Sequence, residues 1–283
     1  MKAREWDYLK KIALRWLLGL GVLLWMLFIL TPYLWMFLTS VKPADELYTS
    51  PVKYWPSAFT FAGYQLLLKT TSFPRFLFNS LIVAFGTVMV TAVVATSAAY
   101  CFSRLEFRGK QKLLGTFLVS QMFPAVLLVL SLFFIMKSLR VLNTPFALIL
   151  AYSTFALPFS TWLLSGFLNT IPYELDESGM IDGASRWQTF RYILLPLAMP
   201  GIVAALTYVF ILSWNEFLYA LTFTSDASAQ TLPVGLNSFM GEYIIRWDLL
   251  TAGGVLTSIP IVIFFMLVQK YLVQGLTSGA VKG

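Results

Sequence analysis

The hydrophobic positions of the chain form six long uncharged intervals, and the charged residues lie in the segments between them. A helix that rises about 1.5 Å per residue needs about 20 apolar residues to cross the hydrocarbon core of a membrane. Each interval is long enough for one crossing. The pattern predicts an all-α membrane protein, with residues 1–283 forming a single transmembrane domain and spans at about 14–40, 76–103, 113–136, 144–168, 198–223 and 249–272.

The composition supports this prediction and excludes several enzyme classes. Hydrophobic residues make up 58% of the chain and charged residues only 12%, whereas about a quarter of a soluble domain is charged. The chain has no His and a single Cys, Cys101, which excludes a disulfide framework, a zinc cluster and catalysis by a Cys-His or Ser-His pair. We therefore expect no catalytic residue and no metal site.

The distribution of Lys and Arg predicts the orientation, because basic loops are retained on the cytoplasmic side. The clearest case is the short segment Arg104–Lys112, which carries four basic residues between the second and third spans. With both termini cytoplasmic, thirteen of the twenty basic residues lie inside. The net charge of +7 is spread between apolar runs rather than gathered in one patch, so we expect no nucleic-acid partner.

The segment from Thr170 to Pro196 predicts two short helices on the cytoplasmic side. Thr170 is expected to cap the first helix, and Gly183 to end it. Ser185 and Gln188 fit a capping box at the start of the second helix. That helix places three apolar residues on one face: Trp187, Phe190 and Leu194. Composition alone leaves open whether the pair rests on its own bundle or fills a groove in a partner.

The same segment resembles the EAA loop of binding-protein-dependent ABC importers, whose pattern is E-A-A-x-x-x-G, nine residues, then I-x-L-P. Ser178 and Gly179 stand where the family has two alanines. The resemblance implies that residues 170–196 form a coupling helix that docks on an ATPase subunit. The coupling residues would be Glu177, Ser178, Gly179, Asp182, Gly183, Ile193, Leu195 and Pro196.

The C-terminal segment 275–283 is glycine-rich, and its composition alone predicts a frayed terminus. Its sequence, G-L-T-S-G-A-V-K-G, nevertheless resembles the ending of the maltose-type, MalG-like sugar permeases. In that family the tail reaches between the ATPase subunits. The resemblance implies a second ATPase contact at Leu276, Thr277, Gly279, Ala280, Val281 and Lys282.

The family resemblance extends over nearly the whole chain, and it implies a fold and a set of partners. The fold would be the six-helix permease bundle of an ABC importer, located in the inner membrane and importing a disaccharide or oligosaccharide. The partners would be an ABC ATPase dimer, a second, MalF-like permease and an external solute-binding protein, which would contact residues 225–247. No cofactor is expected on this chain, since ATP and Mg²⁺ would bind to the ATPase subunits.

A carboxylate near the end of the fifth span marks a candidate for the solute pathway, because ionisable residues within spans are costly and usually functional. The candidate residues are Trp214, Asn215, Glu216 and Tyr219. The alternative is that Glu216 reaches water at the outer interface and that the Trp belongs to the aromatic belt. An ion-coupled carrier and a membrane-embedded ATPase are less favoured, since the chain shows no internal repeat and no G-x-x-x-x-G-K-[ST] motif.

Overall fold

The computed structural model describes the backbone of residues 2–241 and 243–280 and the side chains of residues 11–241 and 243–271. Within these ranges the regular structure is helical, apart from one isolated bridge between Met240 and Ile245. The prediction of an all-α protein is therefore confirmed. The helices are α1 Lys2–Ser40, α2 Ala62–Thr70, α3 Phe73–Arg104, α4 Lys110–Ser120, α5 Ala125–Ser138, α6 Pro145–Leu168, α7 Glu174–Ile181, α8 Arg186–Thr189, α9 Leu195–Asn215, α10 Leu218–Phe223, α11 Leu232–Asn237 and α12 Trp247–Ala280, with a 3-10 turn at Ala44–Glu46 and a π-helical segment at Phe190–Leu194.

Five of the described helices are long and apolar enough to cross a membrane. They are residues 11–40 of α1, α3, α6, the continuous helix from Arg186 to Asn215, and residues 247–271 of α12. The pair α4 and α5 meets the same test together, but the two helices are bent by 99° at the break between them. The six predicted spans thus appear as five continuous helices and one bent pair.

The predicted third span, 113–136, is the bent pair. Helix α4 ends at Ser120, and α5 begins at Ala125 directly after Pro124. Proline donates no backbone hydrogen bond and disfavours helical geometry at the residue before it, which favours a break at this position, although α6 and α12 continue through Pro158 and Pro260. The side-chain amide of Gln121 donates to the Phe155 carbonyl of α6 at 3.0 Å and so ties the break to a neighbouring helix.

The predicted fifth span, 198–223, is also interrupted. Helix α9 ends at Asn215, Glu216 is extended with ψ 128°, and α10 begins at Leu218. Neither Gly nor Pro lies at this break, so the sequence gives no local signal for it. The span also begins earlier than predicted, because α8, the π-helical segment and α9 form one continuous helix from Arg186.

The chain divides into two compact units, whereas the sequence predicts one domain. The first unit comprises residues 1–70 and 239–256, and the second comprises residues 71–238 and 257–283. The second unit is built around α3, α6 and α9. Small residues on α3 and α9 let these helices approach closely. Their shared core consists of Ala95, Ala99, Leu164, Leu168, Ala198, Ile202 and Ala205.

The first unit is organised around two buried charges in the segment after α1. Glu46 forms an ion pair with Lys53 at 2.9 Å and accepts a hydrogen bond from the Ser57 amide at 3.1 Å. These interactions with Ser57 and Lys53 lower the pKa of Glu46 to about 2. The Lys42 ammonium donates to the Lys53 carbonyl and lies 4.4 Å from the centre of the Trp35 ring. Both charges therefore have partners that offset their burial.

We predict that Gly201→Ala destabilises the second unit. A Cβ at position 201 of α9 would lie 2.5 Å from Cγ of Phe167 on α6, and the base of this partly buried ring cannot move aside easily. Overpacking of this kind costs about 1–3 kcal/mol. The thermal unfolding midpoint of the purified chain in detergent should therefore fall.

Gly166→Ala is the matched control, because an added Cβ there meets no atom within 4 Å. Its unfolding midpoint should stay the same or rise, since Ala favours a helix over Gly. Equal midpoints for the two variants would contradict the close approach of α6 and α9.

Candidate functional site

Residues 170–196 contain the predicted first short helix, α7, and a tight turn after it, but the predicted second short helix is the first part of the continuous helix Arg186–Asn215. The first helix begins later than predicted. Tyr173 is its N-cap, and the Thr170 hydroxyl instead donates to the Phe167 carbonyl of the preceding helix at 2.7 Å. The prediction that Thr170 caps α7 was therefore wrong. The acidic residues of the first turn are Glu174, Asp176 and Glu177, which suit the positive end of the helix dipole.

Helix α7 ends in a Schellman motif. Gly183 has a φ of +85°, a left-handed conformation that favours glycine. The Gly183 amide donates to the Met180 carbonyl at 3.1 Å, and the Ala184 amide donates to the Gly179 carbonyl at 3.0 Å. These two bonds satisfy carbonyl groups at the end of α7 and fix the direction in which the chain leaves it.

The second helix starts at the predicted capping box. The Gln188 amide donates to the Ser185 hydroxyl at 3.3 Å, and the Ser185 amide donates to the Gln188 side chain at 2.7 Å. Of the predicted apolar face, Phe190 and Leu194 are buried, but Trp187 is 67% exposed. The buried apolar face of the second helix therefore includes Phe190 and Leu194 but not Trp187, contrary to the prediction.

Gly179 explains one departure from the family pattern. A Cβ at this position would lie 2.6 Å from Cδ1 of Ile193, so the small residue lets α7 pack closely against the following π-helical segment. The structure thus brings Gly179 and Ile193 together. The neighbouring Ser178 is exposed, and its hydroxyl donates to the Glu174 carbonyl within the same helix at 2.7 Å.

The surface of the loop presents a small exposed group that we call the loop tip: Glu177, Ile181, Asp182 and Gly183. Ile181 is 84% exposed. Among the described residues, Glu177 and Asp182 form no ion pair. The sequence analysis missed Ile181, although an apolar residue within an otherwise polar segment is a signal. The two remaining predicted residues, Leu195 and Pro196, lie at the start of α9, away from the tip in sequence.

A buried ion pair is the feature that sequence analysis missed entirely. The Arg104 guanidinium Nε donates to Oδ2 of Asp176 at 2.9 Å, and the two side chains are only 5% and 6% exposed. Arg104 ends α3, and Asp176 lies in the first turn of α7. The residues are 72 positions apart, so their pairing has no local sequence signal.

The four predicted pathway residues lie around the break in the fifth span. Glu216 accepts hydrogen bonds from the Tyr152 hydroxyl at 2.7 Å, from the Tyr219 amide at 2.9 Å and from the Ala220 amide at 3.1 Å. Its carboxylate therefore caps α10. Trp214 and Tyr219 are buried, whereas Asn215 is exposed. A role for these residues in the solute pathway remains a prediction.

The predicted binding-protein contact, residues 225–247, contributes to both compact units. In the second unit, the Asn143 side chain donates to Asp226 at 2.8 Å, and hydrogen bonds from Ser228 and Asn143 lower the pKa of Asp226. In the first unit, Met240 and Ile245 form an isolated bridge, and Tyr243 is 90% exposed.

The predicted C-terminal contact can be described only in part. Helix α12 continues to Ala280, so the backbone of residues 275–280 is helical. The side chains of Leu276, Thr277, Gly279 and Ala280, and all of Val281 and Lys282, lie outside the described residues. The contact with an ATPase therefore stays a prediction.

Comparison with solved structures defines the class of protein. A chain from a bacterial ABC transporter that imports the acidic polysaccharide alginate superposes with a TM-score of 0.79 at 20% identity, covering 90% of this chain and 95% of that chain. The fold is thus that of an ABC transporter membrane subunit. Residues 91–278 match the binding-protein-dependent transport system inner membrane component family, and the chain belongs to that family.

Relatives with assigned transport roles narrow the assignment. The chain is 40% identical over 256 residues to the trehalose transport system permease protein SugB of Mycobacterium tuberculosis, covering 90% of this chain and 93% of that protein. It is 39% identical over 277 residues to the trehalose/maltose transport system permease protein MalG of Thermococcus litoralis, covering 97% and 99%. The chain is a carbohydrate ABC importer permease subunit in the inner membrane, which confirms the predicted class and function.

We predict that Glu216→Ala destabilises the chain even without solute. The substitution removes the acceptor for one hydroxyl and two backbone amides, and each buried group left unpaired costs about 1–3 kcal/mol. The thermal unfolding midpoint in detergent should fall clearly. Asn215→Ala is the control, because Asn215 is exposed and, among the described residues, its side-chain amide donates to the Ile211 carbonyl of its own helix. Unchanged stability of Glu216→Ala, with altered uptake, would instead favour a role confined to the pathway.

Proposed function

We propose that this permease couples ATP hydrolysis by partner subunits to sugar import, with the 170–196 loop as the coupling element. The observation that carries the proposal is the contrast between the two sides of the loop. Its inner side is fixed by the buried Arg104–Asp176 pair and by the packing of Gly179 on Ile193. Its tip presents an exposed Ile181, flanked in sequence by Glu177 and Asp182, which form no ion pair among the described residues. A rigid projection with a free apolar end suits insertion into a cleft of another protein.

The proposed assembly contains an ABC ATPase dimer, a second, MalF-like permease and an external solute-binding protein. ATP and Mg²⁺ would be bound by the ATPase subunits, and this chain would carry out no chemical step itself. The loop tip and both termini would then lie in the cytoplasm, where the ATPase is. Leu276 to Lys282 would form the second ATPase contact, and residues 225–247 would face the binding protein.

The proposed substrate is a disaccharide. The two relatives described above are named for trehalose and for trehalose and maltose, and they match almost the full length of this chain. Their likeness supports sugars of this size for the assembled importer.

We predict that Ile181→Asp weakens association with the ATPase. The substitution replaces the exposed apolar residue of the loop tip with a charge, and loss of a central interface anchor typically costs at least about 2 kcal/mol. The amount of ATPase that co-purifies with the tagged permease in mild detergent should fall accordingly. Ile244→Asp is the matched control, because Ile244 is also an exposed isoleucine but lies in the 225–247 loop. Equal ATPase recovery with Ile181→Asp and the wild type would contradict docking through the tip.

We predict that coupling requires, at position 183, a residue that tolerates a left-handed backbone conformation. Gly183→Val should reduce ATP-dependent uptake of trehalose and maltose into proteoliposomes, since a left-handed conformation costs a β-branched residue roughly 1–2 kcal/mol or more. Gly183→Asn should retain more uptake, because Asn tolerates that conformation. Both proteins should reach the membrane, which immunoblotting of membrane fractions checks. Full uptake with Gly183→Val would argue against a fixed turn in coupling.

A further inference from the structure

The Arg104 guanidinium joins three elements at one end of the second unit. Besides the Asp176 carboxylate on α7, it donates from Nη1 to the Leu168 carbonyl at 3.1 Å and from Nη2 to the Ile171 carbonyl at 3.0 Å. Leu168 ends α6, and Ile171 lies in the link to α7. A single side chain at the end of α3 therefore holds both the end of α6 and the start of α7.

Neighbouring side chains hold the Arg104 guanidinium in place. Nη1 of Arg104 also donates to the Ser103 hydroxyl at 3.1 Å, and that hydroxyl donates to the side chain of Asn169 at 2.9 Å. The Tyr173 ring lies beside the guanidinium, with its centre 5.8 Å from Cζ. The planar guanidinium offers five donors in a fixed fork, which a lysine ammonium cannot reproduce.

Helix α7 also contacts the segment that follows it in the chain. Gly179 packs on Ile193 of the π-helical segment, which continues directly into α9. Among the described residues, Asp176 is the side chain through which α7 makes an ion pair with a membrane-spanning helix. Helix α7 is thus linked to α9 through the backbone and to α3 and α6 through Arg104.

We propose that Arg104 and Asp176 are a positioning pair that transmits movement of α7 to α3 and α6 during transport. The inference rests on the proposed function of the loop. The pair is buried between the end of α3 and the first turn of α7, so its effect is on the efficiency with which hydrolysis drives import. The quantity to measure is therefore the amount of sugar imported per ATP hydrolysed.

The experiment uses the complete importer, with its ATPase, second permease and binding protein, reconstituted in proteoliposomes. The variants are Asp176→Asn, Arg104→Gln and Arg104→Lys, and maltose or trehalose is the transported probe. We expect ATPase to co-purify in wild-type amounts, while sugar imported per ATP falls at least about tenfold for Asp176→Asn and Arg104→Gln, within the range of typical coupling energies. Arg104→Lys should also lower the ratio, because it keeps the charge but not the fork.

Glu174→Gln is the matched control. Glu174 lies in the same first turn of α7 and carries the same charge, but it is exposed. The sugar imported per ATP hydrolysed by this variant should stay within about twofold of the wild-type value, as for most surface substitutions.

Three outcomes separate the possibilities. Wild-type ratios for Asp176→Asn and Arg104→Lys would overturn the positioning role and leave the proposed function intact. Parallel loss of assembly, ATPase activity and import in all three variants, including the charge-preserving Arg104→Lys, would also overturn it, because the pair would then serve folding alone. A wild-type chain that recruits no ATPase and shows no ATP-dependent import would instead refute the proposed function.

Discussion

The buried guanidinium of Arg104 is the constraint on which the loop geometry depends. The end of α6 leaves backbone carbonyls that the helix itself cannot satisfy, and Arg104 donates to two carbonyls there, those of Leu168 and Ile171. A cation buried to this degree needs a counter-charge, which Asp176 supplies from α7. Arg104 therefore supplies donors to backbone carbonyls, and Asp176 both balances its charge and holds the first turn of α7 in place. Removing one partner of such a pair costs about 3–5 kcal/mol, since the other charge is left buried and unpaired.

The rest of the loop follows from that anchor. With the first turn of α7 held at Asp176, the Schellman motif at Gly183 sets the direction in which the chain leaves the helix. The absence of a side chain at Gly179 lets the helix lie against Ile193. These features use backbone groups and the inner side of the loop, while the Ile181 side chain at the loop tip stays 84% exposed. Rigidity and an exposed apolar end are thus produced by different residues.

The sequence predicts the spans well because an uncharged interval of membrane length has few alternative structures. It also predicts the loop helices, since Gly183 and the Ser185 capping box act over three or four residues. The sequence does not reveal contacts between residues that lie far apart along the chain. The Arg104–Asp176 pair joins residues 72 positions apart, and the break at Glu216 is stabilised by Tyr152 from another helix. Pro124 did signal a break, but a proline alone does not distinguish a kink from a 99° bend.

The breaks in the third and fifth spans are also tied to neighbouring helices by neutral hydrogen bonds. The Tyr219 hydroxyl of α10 donates to the Ala125 carbonyl at the start of α5 at 2.7 Å, and Gln121 donates to the Phe155 carbonyl. Each is a neutral hydrogen bond, worth about 1 kcal/mol net, whereas the loop is held by a buried charge pair. Non-helical backbone within a membrane must find such partners in neighbouring helices. If the loop is displaced as a rigid piece, the α4–α5 break is therefore expected to yield before the break in the fifth span, because Gln121 contributes one neutral bond whereas the Glu216 carboxylate accepts three.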